Sequence, residues 1–69
     1  MTRNEAKKLI DIPTLYHNKE FHEFFTATLT GFINRGPYIE SENGGLFDYR
    51  ELVAVRPATK EEIAGGLDA

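Results

Sequence analysis

The sequence predicts a small α+β domain: a short N-terminal helix packed on a small antiparallel sheet of three or four strands, followed by a short C-terminal helical turn. Three observations carry this. The stretch Phe21–Ile33 holds four of the five phenylalanines, and within it Phe25, Ala27 and Leu29 alternate with Thr26, Thr28 and Thr30. That is the period of two of a half-buried strand. Thr-x-x-Glu patterns at 2–5 and 59–62 are capping boxes that open helical segments at either end. Asn43-Gly44 between two β-favouring runs is a strong hairpin signal.

In chain order, Ala6, Leu9 and Ile10 follow the first box as one apolar stripe, with Lys7 and Lys8 placed for the helix C-terminus. Pro13 disfavours helical geometry at Ile12, so the helix is expected over about residues 3–11. Its shortness means that it must dock its stripe on the sheet to persist. Thr14-Leu15-Tyr16 reads as a short edge strand. His17–Glu20 is polar and reads as a turn, after which two readings stand: Asn18 caps a helical turn at 19–22, or strand begins near Glu23. A strand is expected over about 23–33, with Gly31 marking a bulge or a close backbone approach.

Asn34–Pro37 is a turn, and Tyr38–Ser41 a strand that pairs back on the one before it. Leu46–Tyr49 returns as a strand, or as a turn into Arg50-Glu51. Leu52–Val55, with little polar relief, reads as a final strand, central and covered on both faces, stopped by Pro57. Ile63 belongs to the closing helical turn, Gly65-Gly66 ends it, and the last four residues are expected to be loose. The chain, 1–69, is one domain.

Composition narrows function. A chain of 69 residues buries only about 60% of its unfolded surface. With no cysteine it has no disulfide and no thiolate zinc site. Oligomerisation is one way for so small a core to gain buried area. A net charge of −3 with scattered basic residues disfavours general nucleic-acid binding, which needs a basic stripe for phosphates. No apolar run approaches the ~18 residues of a membrane span. Thr2–Asp11 has no signal-peptide core, so the chain is expected to stay in the cytoplasm where it is made.

No catalytic, metal or cofactor motif stands out. His22-Glu23-Phe24-Phe25-Thr26 lacks the second histidine of a helical metal motif, so His17 and His22 read as turn residues unless a second chain completes a site. Asn43-Gly44-Gly45 lacks the lysine and following helix of a phosphate loop. Ser41 is the only serine and has no readable base and acid, leaving nucleophilic catalysis unsupported. Glu40, Glu42, Asp48, Glu51, Glu61 and Glu62 bias the C-terminal half toward acid, but 11 acids against 8 basic residues over the chain is too small an excess for a DNA mimic. Two patches remain as binding candidates. Arg35-Gly36-Pro37-Tyr38 presents an arginine and a tyrosine on a tight turn, the residue types that anchor interfaces. Asp48-Tyr49-Arg50-Glu51 follows a glycine-rich turn, and Arg50 could fork onto a phosphate or carboxylate.

The opening Thr2–Ile10, the His-bearing segment after it, the Glu42-Asn43-Gly44 turn and the Phe47…Arg50 segment together resemble small accessory proteins of tailed bacteriophages. The resemblance implies a short N-terminal helix running into a β-rich body, early expression in the bacterial host cytoplasm, and a non-enzymatic role. The role expected is to bind and neutralise or redirect a host defence protein, and the two patches above offer Arg35, Tyr38, Tyr49 and Arg50 as its exposed candidates. The alternative is an oligomer that sequesters a nucleotide signal, with Arg50 on phosphate and Tyr16 or Tyr49 for stacking.

Overall fold

The computed structural model describes residues 1–66. Helix α1 spans Arg3–Lys8. Its box is formed as expected: the Glu5 N–H donates to the Thr2 hydroxyl at 3.2 Å, and the Thr2 N–H to the Glu5 carboxylate at 2.8 Å. The helix ends earlier than expected. The Leu9 N–H closes on the Ala6 carbonyl, and Asp11 turns the chain at φ 67°, a left-handed geometry that a short polar side chain tolerates. Ala6 is buried, and Leu9 and Ile10 pack on the core, so the apolar stripe does the docking it implied.

Six strands form two antiparallel sheets rather than one. The first has the order β2-β1-β6, from Glu23–Ala27, Thr14–Asn18 and Leu52–Pro57. The second has the order β3-β4-β5, from Leu29–Phe32, Tyr38–Ser41 and Leu46–Asp48. The long strand expected over 23–33 divides at Thr28 and passes from one sheet to the other. The Thr28 carbonyl there accepts the Glu42 N–H at 2.8 Å. Ala27 and Leu29 are both buried. The period of two is thus kept through the crossing, and this one run lines the inner face of both sheets. The register slips between Leu29 and Gly31, making Thr30 the extra residue of a bulge beside the glycine.

Two strand placements differ from expectation. Strand β1 is not an edge: it pairs with β2 on one side and β6 on the other. Its buried residues are Thr14, Tyr16 and Asn18, a mostly polar set that hides a central strand from a hydrophobicity reading. Strand β6, expected to be central and covered on both faces, is an edge with only Leu52 buried. Val53 and Val55 are 42% and 47% exposed. A short apolar run does not distinguish a buried strand from one that leaves its valines in water.

The connections match the turn chemistry. Asn18 Oδ1 accepts from the N–H groups of Glu20 and Phe21 at 2.9 and 3.2 Å. Asn18 therefore caps a turn, and strand begins at Glu23, after His22 at φ 54°. Gly44 takes φ 88° in the β4–β5 hairpin. After β5, a 3-10 turn over Tyr49–Glu51 leads into β6. Helix α2, Lys60–Gly66, opens on the second capping box. The expectation of a loose tail falls on Gly66, which closes α2, and on 67–69, which lie outside the described residues.

The core gathers Ala6, Tyr16, Ala27, Leu29, Ile39 and Leu52 between the sheets. Phe25 and Phe47 stack across it at 4.8 Å between centroids, and Phe32 meets Tyr49 edge-on at 5.7 Å. Among the described residues the buried Tyr16 hydroxyl has no well-formed hydrogen bond, and burial, opposed in part by the nearby Thr14 side chain, raises its pKa above the ordinary tyrosine value. An unsatisfied buried hydroxyl costs about 1–3 kcal/mol. Tyr16→Phe is accordingly expected to leave the fold unchanged and to raise the urea midpoint or leave it equal. A clear loss of stability would show that the hydroxyl is bonded in solution.

Helix α2 carries a pH-dependent tie. Arg56 forks onto Glu62 at 2.6 and 2.9 Å, and the Thr59 N–H bonds the same carboxylate at 2.9 Å. The Arg56 fork first, and the Thr59 N–H second, pull the Glu62 pKa from 4.5 to about 2. A depressed folded-state pKa gives stability that is full above the unfolded value and is lost as pH falls through the folded one. The advantage of wild type over Glu62→Gln is therefore expected to be full near neutral pH and to fade from 4.5 toward 2. Urea melts across that window check it, and a difference independent of pH would contradict it.

Candidate functional site

An open groove of about 500 Å³ lies between the β1–β2 turn, the outer side of the β4–β5 hairpin and the 3-10 turn. The first contributes Asn18, Glu20 and Phe21 to its lining, the second Tyr38, Leu46, Phe47 and Asp48, and the third Glu51. Each wall is fixed by a local device. The Asn18 side chain, itself buried, holds the backbone under Glu20 and Phe21. The Lys19 N–H donates to the Glu51 carbonyl at 2.8 Å, tying that turn to the 3-10 turn. Tyr38 and Asp48 face each other in the β4–β5 register. Gly36 takes φ 66°, and a side chain in its place would start 3.6 Å from the Tyr38 ring.

The lining is mixed, with Asn18, Glu20, Asp48 and Glu51 standing beside three large apolar side chains left in water. Phe21 is 65% exposed, Leu46 54% and Tyr38 43%. A compact group of large apolar side chains left in water marks a binding surface more than single scattered ones do. The groove floor is tied to the core, because Phe47 stacks on Phe25.

Of the residues singled out from sequence, Tyr38 lies in this groove, with Asp48 and Glu51 of the 48–51 patch. Arg50 stands beside it, forked onto Asp48 with Nε–Oδ1 at 3.1 Å and Nη2–Oδ2 at 2.8 Å. That pair holds the Asp48 carboxyl below the usual carboxylate range and raises the arginine. Asp48 also caps the 3-10 turn by accepting the Arg50 N–H at 3.0 Å. The fork offered for phosphate is therefore occupied by a side chain of the same hairpin. Tyr49 is half-buried against Phe32 and belongs to the core periphery. Tyr16 is fully buried, which removes it as a stacking surface. Arg35 is exposed on the 34–37 turn and does not line the groove.

Sequence reading passed over Glu20, Phe21 and Leu46 as groove residues, while Glu51 entered with the Asp48–Glu51 patch. The available signal was Asn18-x-Glu20-Phe21, an Asx-turn pattern that presents an aromatic residue on a polar turn. His17 lies tilted beside Phe24, at 4.6 Å between centroids. Among the described residues no three His, Cys, Asp or Glu side chains gather as a metal site. Nor is any described helix long and apolar enough to cross a membrane. Comparison with models of known families, with curated proteins and with solved structures gives no match to this chain.

Proposed function

We propose that this chain is a non-enzymatic protein-binding module, a phage accessory protein that inhibits or redirects a host defence protein by seating part of it in the groove. The observation that supports this reading is the convergence of Phe21, Tyr38 and Leu46, all exposed, on one preformed groove. Interfaces draw most of their energy from a few such anchors in a local depression. The groove is built on turns that hydrogen bonds already hold, so little ordering is left to oppose association.

Site-specific photo-crosslinking in a bacterial host tests the reading. A crosslinker in place of Leu46 is expected to tag one host protein. The same group in place of Ile12, exposed but outside the groove, is expected to tag none. Equal labelling from both positions would remove the groove from the interaction.

A further inference from the structure

Resting on the groove-binding reading above, we propose that the groove's occupant is a basic segment of the partner: an apolar side chain between Phe21, Tyr38 and Leu46, with lysine or arginine beside it on Glu20 and Glu51. The charge around the groove carries this. Its lining includes Glu20, Asp48 and Glu51 and no basic residue. Asp48 is neutralised by Arg50, whereas Glu20 and Glu51 enter no ion pair among the described residues. Both carboxylates ride on the two turns joined by the Lys19 N–H to Glu51 carbonyl bond. They therefore stand on a preset frame and share one lining with Phe21, Tyr38 and Leu46, and a bound segment needs both chemistries at once.

An anionic occupant meets the opposite situation. A phosphate or an acidic peptide would approach two uncompensated carboxylates, and the guanidinium at the groove's edge is already taken by Asp48. Like-charge juxtaposition of this kind excludes partners as effectively as attraction selects them. The net charge of −3 acts in the same sense at longer range, favouring encounter with a cationic surface.

Selection of a random peptide library against the intact protein tests the proposal, followed by titration of the enriched peptides into isotope-labelled protein. Enriched peptides are expected to carry lysine or arginine next to a large apolar residue and to shift the amides of Glu20, Phe21, Tyr38 and Glu51. Glu20→Lys with Glu51→Gln is expected to weaken such peptides by about tenfold or more without changing the melting temperature. Salt raised from about 0.1 M to about 1 M, which cuts the screening length from about 10 Å to about 3 Å, is expected to weaken them in wild type and much less in the variant. Glu20→Gln alone keeps the test open if the double variant fails to fold.

Enrichment of neutral or acidic peptides that shift the same amides would overturn the charge assignment and leave the groove-binding reading standing. The same shifts produced by ADP-ribose, by an oligonucleotide or by self-association on concentration would overturn it in favour of that occupant. Peptides that bind without touching the groove, or no enriched peptide, would overturn both.

Discussion

Leu29→Ala is expected to leave the protein largely unfolded at room temperature. Leu29 is fully buried where the long strand crosses between the sheets. Its carbonyl also accepts the Asp11 N–H at 2.8 Å, and its backbone bridges Ile10. The Leu29 backbone thus ties the segment after α1 to the second sheet, while its side chain fills the core. Truncating a buried leucine costs about 2–5 kcal/mol, and a single core of this size supplies only about 3–5 kcal/mol in total. The two figures nearly cancel. Val53→Ala on the edge strand β6 is the matching control, because half-exposed surface positions move stability by about 0.5 kcal/mol or less. Urea melts of the two variants give the ranking. A Val53→Ala variant that is the less stable of the two would mean that β6 is covered in solution.

Tyr38→Ala is expected to weaken partner binding by about thirtyfold while leaving the melting temperature within a degree or two of wild type. Truncation of a central aromatic anchor costs about 2 kcal/mol or more, and about 1.4 kcal/mol is a factor of ten in Kd. The stability of the variant follows from the ring's position. Tyr38 is 43% exposed and its backbone pairing with Asp48 does not need the side chain. Calorimetric titration against the captured host protein, with a thermal melt in parallel, measures both. Unchanged affinity would place the contact elsewhere on the surface, and a collapsed melt would make Tyr38 a structural residue. Arg35→Glu separates the turn from the groove: it is expected to change affinity far less than Tyr38→Ala.

The elements that could be read from the sequence are those whose signal is local. Both capping boxes, the Asn43-Gly44 hairpin and the alternation through Phe25–Leu29 depend on neighbours within a few residues, and each appears in the fold. What depends on distant partners was not legible. The alternation of Ala27 and Leu29 gives the same pattern whether the strand stays in one sheet or crosses to a second. The roles of β1 and β6 were exchanged for a related reason. Thr14 and Asn18 are buried because they serve the backbone, the former donating to the Ile12 carbonyl at 2.7 Å and the latter capping its turn. Hydrophobicity does not register that use.

The site divides in the same way. Tyr38 was found by residue type, and it lines the groove. Arg50, offered as a fork for phosphate or carboxylate, takes the carboxylate two residues before it in a bidentate pair, as its close spacing to Asp48 in the sequence allows. Phe21 and Leu46 lie 25 residues apart in the sequence. Only the pairing of β1 with β2 and of β4 with β5, and the tie from Lys19 to Glu51, brings them to one groove.

Native mass spectrometry of the protein drawn from a bacterial host, as wild type and as the Phe21→Ser, Leu46→Ser double variant, tests the central claim most directly. Wild type is expected to carry one host protein at fixed stoichiometry. The double variant, folded by circular dichroism, is expected to emerge without it. A host protein retained equally by both, or a wild type that carries only a small molecule or only copies of itself, would contradict the account.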